Sequence, residues 1–412
     1  MNKVNPFKPN SPVSTGMFAG RMKEIVLLEK ALFQTKNGLP CNILVTGERG
    51  IGKSSLMMIL KDFASGYVET LEHGKFNFLT IGGMVSDKTD LVTLIRLIER
   101  NVQREIGKTD ALRKYLSATW AFAKRIRIMD SGIEAEDAIS DPDIIIDEFA
   151  YSLAQTCERI SRPEKGEERK DGILFIIDEA DNASDSLRIG YFFKVVTELL
   201  QQHGCHNIMF VVVGLPEIAD KLLSSHESSL RIFNQVKITE LSPSDRKRVV
   251  DLGLEEANRI NEDKTKISEE AKSHISTLSE GYPHFIQQFS YSAFDFSSDG
   301  EISSDDVLDG AFDKGGAIDS IGARYYAADY HSKIKSDEYR QVLSIMAESM
   351  NSWIKKSEIR EKFSGADQTL TDALAALTKR KIILKNSSAR GEYRLQQRGF
   401  AIWIKLFGER RK

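Results

Sequence analysis

Residues 47–55 read GERGIGKSS, set between the apolar run NILVT (42–46) and the amphipathic run LMMILKDFA. The turn satisfies G-x-x-x-x-G-K-[ST] in the context the pattern requires, a strand before and a helix after. Glycines let such a turn curl until successive backbone N–H groups face inward toward a phosphate chain. The helix that begins there adds its positive end. Among Gly47, Glu48, Arg49, Gly50, Ile51, Gly52, Lys53, Ser54 and Ser55, Lys53 is placed to reach β- and γ-phosphates and Ser54 to ligate Mg²⁺. ATP and Mg²⁺ are therefore the expected cofactors.

Working outward, 22–34 (MKEIVLLEKALFQ) carries Ile25, Leu28 and Leu32 on one helical face. Strand-like runs recur at 76–82 (FNFLTIG), from 173 (ILFIID), from 208 (IMFVVV) and from 236 (VKIT), each followed by a longer helical or irregular stretch. This alternation predicts an α/β domain with a mainly parallel sheet over residues 1–241. About 90 residues separate the second and third strands, more than one crossover helix needs. Helices are expected at 111–124 and 144–160, a short strand at KRIRIM (124–129) and a charged surface loop at SRPEKGEERKDG, so 105–172 reads as an insertion on the sheet. From Pro243 the β signal stops. Four helices follow, with Ser242, Ser268 and Ser303 as caps, and a further helical stretch at 317–335 closes a helical segment, 242–334.

The run ILFIIDEAD delivers Asp178 and Glu179 at the end of a buried strand. Asp178 can hold Mg²⁺ through water, and Glu179 is placed to orient or deprotonate the attacking water. Asp181 reads as a capping or surface acid. An extra strand between the glycine turn and this acid pair, with a glutamate beside the aspartate, resembles the additional-strand, catalytic-glutamate class of P-loop ATPases. Within that class FAGRMKEIVLLEKAL (18–32) is similar to the N-terminal box of AAA+ proteins, in particular their origin-recognition-like and STAND-like branches. The resemblance implies that Phe18, Gly20 and Arg21 close over adenine, and that the helical segment is a lid. SEGYPHFIQQF (279–289) resembles the Gly-x-Pro lid motif, which implies nucleotide contacts from Pro283 and His284. His284 and Gln287 stand where AAA+ lids often carry a sensor arginine, and Gly214 stands where a polar sensor usually follows the fourth strand. Both departures point to slow turnover, with nucleotide state acting as a switch. Arg231, just before the fifth strand, is either a surface arginine or the finger supplied to a neighbouring subunit, so a nucleotide-dependent homo-oligomer is expected.

The end of the chain is basic. From Lys335 onward there are 17 Lys+Arg against 9 Asp+Glu, whereas the whole chain has net charge −3. Helices at 337–350, around KKSEIREKF and around GADQTLTDALAALTKRK, then two short strands and a last helix at RGFAIWIKLFG, follow the winged-helix order over 335–412. The third helix would be the reader in a major groove. Basic residues cluster late in that helix (Lys379, Arg380, Lys381). Gln368 and Thr369 are candidates for base edges, and Lys385, Arg390 and Arg394 on the wing for phosphates, with Lys379 and Arg380 also counted as DNA contacts. This matches the terminal winged helix of origin-recognition-like ATPases, but winged helices also dock proteins.

Composition excludes other classes. No apolar run approaches the 18 or more residues of a membrane span, and the polar, proline-rich start lacks the apolar stretch of a signal peptide, so a cytoplasmic location and no membrane partner are expected. Cys41, Cys157 and Cys205 suit neither a disulfide framework nor a zinc finger, and HGCH (203–206) reads as a polar connection. Two functions stay open. One is an ATP-switched protein that binds double-stranded DNA. The other is a STAND-like signalling or defence switch whose winged helix docks a protein, with any effector on a separate chain.

Overall fold

The computed structural model describes residues 3–12, 18–70, 72–106, 110–126, 139–350, 352–380, 382–386 and 389–408. The chain divides into two compact units, Arg21–Thr239 and, together, Met1–Gly20 with Glu240–Lys412.

The first unit runs α1 (Met22–Lys36), β1 (Asn42–Thr46), α2 (Lys53–Ala64), β2 (Phe78–Met84), α3 (Leu91–Ile106), α4 (Asp110–Thr119), α5 (Phe122–Arg125), α6 (Pro142–Ser161), β3 (Gly172–Asp178), α7 (Ile189–Gln202), β4 (Ile208–Gly214), α8 (Ile218–Ser225) and β5 (Phe233–Lys237). The strands form one parallel sheet in the order β2-β3-β4-β1-β5. Unbroken apolar runs such as IMFVVVG, buried along its whole length, are what a sheet covered on both faces demands. The strand lying between β1 and β3 in the sheet is β4, which follows the acid pair in sequence. The strand that separates the glycine turn from the acid pair along the chain, β2, lies at the sheet edge beside β3.

The segment read as an insertion helps build the main core. Leu116, Trp120, Phe122, Phe149 and Leu153 join the hydrophobic cluster over the sheet. An aromatic series runs from Trp120 to Phe149 (5.8 Å between ring centres), Phe192 (5.6 Å), Phe193 (5.2 Å) and Phe210 on β4 (5.5 Å). Such pairs add roughly 0.5–1.5 kcal/mol each beyond their area burial. Trp120 Nε1 finds its partner in Thr156 Oγ1 at 3.0 Å. Of the expected strand at 124–129, Ile126 forms an isolated bridge with Ile139, and 127–129 lie outside the described residues.

The second unit contains α9 (Pro243–Ile260), β6 (Lys266–Ile267), α10 (Glu269–Leu278), α11 (Pro283–Phe296), β7 (Glu301–Ile302), α12 (Ser304–Phe312), α13 (Ala317–Tyr325), α14 (Asp337–Glu348), β8 (Ile354–Lys355), α15 (Lys356–Lys362), α16 (Asp367–Lys379), β9 (Ile383–Lys385), β10 (Glu392–Leu395) and α17 (Arg398–Phe407). Ser242, Ser268 and Ser303 cap α9, α10 and α12 through their side-chain oxygens, each a contribution of about 1 kcal/mol. The proline-rich lead packs here: Phe7 is buried against Gly253 and Phe294. The last strands form an antiparallel sheet, β8-β10-β9, whose short strand β8, between α14 and α15, was not expected from the sequence. The terminal elements are fastened to the bundle, because Gly322 on α13 leaves room for Trp403 on α17 and the Glu280 carboxylate accepts the Gly399 N–H at 2.9 Å. No described helix is long and apolar enough to cross a membrane.

Candidate functional site

The register Thr46↔Gly214 and Ile177↔Val212 brings the glycine turn and Asp178 to the same, C-terminal, edge of the sheet. They are two strand spacings apart, about 10 Å. That edge is where α/β sheets bind ligands.

Each part of the turn has a local cause. Gly50 (φ 79°) and Gly52 (φ 97°) occupy the left-handed region that favours glycine. A Cβ on Gly47 would lie 2.9 Å from Ile51 Cγ2 and 3.0 Å from the Ile238 carbonyl. Ile51 is buried and anchors the turn, whereas Arg49 and Ser54 are exposed. Helix α2 starts at Lys53 with no side-chain cap and no acid in its first turn. That leaves its positive end to an external anion. The Lys53 ammonium donates to the carbonyls of Gly47 (2.7 Å) and Glu48 (3.0 Å). Burial pushes its pKa down, against the pull of the Asp178, Asp181 and Glu48 carboxylates. Arg21, itself left-handed at φ 65°, is nearly buried and donates to the Ile51 carbonyl at 3.2 Å. It braces the turn from beneath.

Asp178 ends β3 half-buried, and its Oδ1 accepts the Glu179 N–H at 2.8 Å. Glu179 is exposed and left-handed (φ 55°, ψ 33°), an arrangement that costs an L-residue roughly 1–2 kcal/mol. Its carboxylate accepts from Asn182 at 3.3 Å. Asp181 neither caps a helix nor faces solvent freely. Its Oδ1 accepts the Leu215 N–H at 2.9 Å, a tie that the sequence announces only as a third acid in DEAD.

Arg231 is exposed in the short 3-10 turn Ser229–Ile232 that precedes β5, whose last residue, Lys237, pairs with Thr46 beside the glycine turn. A five-residue strand separates them, about 16 Å.

The remaining candidates lie in the second unit, except Arg21. Phe18 and Gly20 precede the boundary, and Gly20 (φ 72°) leaves 3.0 Å between a notional Cβ and Asp245 Cγ. Pro283 opens α11. His284 packs its ring on Tyr325 (5.0 Å) and Phe285, and its Nε2 is buried without a partner. Burial, then Arg324, push its pKa down to about 4, so it is neutral at pH 7. Gln287 accepts the Lys8 N–H.

On α16, Gln368 is exposed, but its amide donates to Asp372 Oδ1 at 3.0 Å. Thr369 is half-buried. Asp367, the one acid in the first turn of that helix, pairs with Lys356 (3.6 Å) and Arg360 (3.9 Å), so its charge is offset by two cations. Lys379, Arg380, Lys385 and Arg390 are exposed, and Lys381 lies outside the described residues. Arg394 is stacked over Trp353, 5.0 Å from its ring centre.

No family model matches the sequence, and a search of curated proteins finds no significant match. Among solved structures the chain is similar to the ORC2 protein of Aeropyrum pernix in its ADPNP–ADP complexes, with 14% identity, TM-score 0.56, and 98% of this chain and 97% of that chain covered. The chain shares the fold of that ORC2 protein. The ADP form of the same ORC2 protein (15% identity, TM-score 0.48, 95% and 93% covered) and the ORC1 protein of A. pernix in complex with DNA (14%, 0.43, 95% and 93%) overlap less well.

Proposed function

We propose that this chain is an ATP-binding and slowly hydrolysing AAA+ switch of the cytoplasm that binds duplex DNA through its C-terminal winged helix. The observation that carries the nucleotide half is the uncapped start of α2 behind a glycine turn, two strand spacings from an acid pair at the same sheet edge. The ORC2 protein of matching fold, solved with ADPNP and ADP, is in line with it.

In this reading the N–H groups of residues 47–53 hold the phosphates and Lys53 moves from the Gly47 and Glu48 carbonyls to the terminal phosphates. Among the described residues no group of three or more His, Cys, Asp or Glu is placed to hold a metal. The donor set present, Ser54 with Asp178, fits magnesium, which takes one or two protein oxygens and completes its shell with water and phosphate. Bound there, the ion would draw charge from the phosphate oxygens. Glu179 accepts the proton of the attacking water at its exposed carboxylate. Gly214 offers no polar side chain from the end of β4, which supports slow turnover. Arg231 precedes β5, a strand length of about 16 Å from its own phosphate turn, which favours service to a neighbouring subunit in an ATP-dependent oligomer. A finger of this kind is worth about 10³–10⁵ in rate. We place Phe18, Gly20, Arg21, Pro283 and His284 among the nucleotide-binding residues, with Arg21 acting through the Ile51 carbonyl.

The DNA half rests on the winged-helix element order and on exposed Lys379, Arg380, Lys385 and Arg390. In the second reading this module docks a protein, an effector on a separate chain included.

The nucleotide half is tested by titrating a fluorescent ATP analogue into wild type and Lys53→Ala. Loss of binding by two orders of magnitude or more, about 3 kcal/mol, is expected. Unchanged affinity in the variant would remove the phosphate-turn assignment.

A further inference from the structure

One carboxylate at this edge has no part in the reaction just described. Asp181 lies two residues beyond Glu179, and its Oδ1 binds the N–H of Leu215, the residue that follows β4. A Cβ on Gly214 would stand 2.8 Å from that same oxygen. Gly214 is not left-handed, so its backbone would accept any residue. The space claimed by Asp181 and, at 3.1 Å, by Ile218 Cβ is what favours glycine there. The Gly214 carbonyl in turn accepts the N–H of Gly47, the first residue of the phosphate turn, at 3.3 Å. On its main-chain side Asp181 is held from α8, where the Lys221 ammonium reaches the carbonyls of Asp181 and Ala183 and pairs with Asp185 at 3.7 Å. These bonds make one chain of contacts: acid turn, end of β4, phosphate turn.

That chain bears on Glu179. A left-handed non-glycine residue persists only where its surroundings over-determine it. Glu179 lies between Asp178, fixed by the sheet, and Asp181, fixed to Leu215. Without the second attachment the acid turn can relax and move the Glu179 carboxylate. A misplacement of about 1 Å is enough to cost about a hundredfold in rate.

We propose that Asp181 is a positioning residue for hydrolysis, clamping the Asp178–Glu179 turn to the end of β4 and, through Gly214, to the phosphate turn. The proposal rests on the nucleotide reading above. It predicts that turnover falls much further than binding, because the Asp181 side chain bonds the end of β4 and towards the phosphates contributes only its charge near Lys53.

The test uses the full chain as wild type, Asp181→Ala, Asp181→Asn, Gly214→Ala and the double variant Asp181→Ala/Gly214→Ala. Affinity for a fluorescent ATP analogue and single-turnover hydrolysis are both read, with cooperative thermal melting as the check on folding. Asp181→Ala should lose about ten- to a hundredfold in hydrolysis rate with a much smaller change in affinity. Asp181→Asn retains an acceptor oxygen for Leu215 and should recover most of that loss. Gly214→Ala should slow the wild type but cost less in the Asp181→Ala background, the non-additivity expected of touching sites. Relief there will be partial, since Ile218 Cβ still stands 3.1 Å from the new methyl. Hydrolysis by Asp181→Ala at the wild-type rate would overturn the proposal alone, as would strict additivity, or an Asn variant as slow as Ala. Should Asp181→Ala fail to melt cooperatively, the Asn and Gly214 variants decide. A wild type that binds no ATP would remove the nucleotide reading and this proposal with it.

Discussion

Replacing Glu179 by glycine should make the protein more stable and inactive together. In the structure Glu179 has φ 55°, a conformation that costs an L-residue roughly 1–2 kcal/mol. Glycine removes that cost but returns about 0.5–1 kcal/mol through the greater freedom of the unfolded chain. The lost side-chain contact is a 3.3 Å bond from Asn182 to an exposed carboxylate, which contributes little. The net gain is about 0.5–1 kcal/mol, or a rise of about 1–4 °C in the melting temperature of a unit of this size. Glu179→Ala is the control, since it also removes the carboxylate but stays left-handed and should gain nothing. Thermal melts without nucleotide, followed by steady-state ATP hydrolysis, read both effects. All three of Glu179→Gly, Glu179→Ala and Glu179→Gln should lack turnover, and only the glycine variant should melt higher. A glycine variant no more stable than the alanine variant would refute the strain argument. One that hydrolyses ATP at the wild-type rate would refute the role of the carboxylate.

Two further outcomes follow from the geometry. Arg231→Ala should leave ATP affinity intact and abolish only the concentration-dependent, assembly-stimulated part of hydrolysis, read as rate against protein concentration; a loss of affinity in dilute protein would contradict its service to a neighbour. Burial pushes the Glu29 carboxyl up, but the N–H groups of Glu72 and His73, with the His73 ring and the Thr70 hydroxyl, outweigh it and hold the group below its ordinary value. A depressed carboxylate stabilises above its unfolded pKa, about 4.3, and that stability is lost as pH falls through the folded value. Glu29→Gln should therefore cost about 1–3 kcal/mol at pH 7 and flatten the acid side of the melting profile, and an unchanged profile would show that the Glu72–His73 turn does not depend on Glu29.

Much of this was legible in the sequence because the informative residues are those with little freedom. GERGIGKSS needs its glycines to turn, DE needs a buried strand to present it, and serines at 242, 268 and 303 sit where helices start. Other features depended on which faces meet. Helical periodicity marks Leu116, Trp120 and Phe149 as buried, but not that they complete the sheet's own core, so 105–172 reads as an insertion from sequence. Phe7 lies in a polar lead and shows no period at all. Two-residue strands such as β6 and β7 are too short to alternate. At the site, Asp181 and Gly214 constrain each other across two strands, a relation with no sequence spacing. The engagement of Gln368 by Asp372 is an exposed i, i+4 pair of about 0.2–0.5 kcal/mol, a small cost to Gln368 as a base contact.

The most direct test of the ATP-switched DNA-binding account is fluorescence anisotropy of a labelled random-sequence duplex, titrated with the protein in ATP and in ADP at 50 and at 200 mM salt, concentrations over which non-specific affinity falls by orders of magnitude. Four exposed cations meeting phosphates (Lys379, Arg380, Lys385 and Arg390) give a salt slope of roughly −3.6, so affinity should drop about a hundredfold between the two salts and be tighter in ATP than in ADP. An absence of binding in both nucleotides at the lower salt would contradict the account and make the terminal module a protein-docking surface.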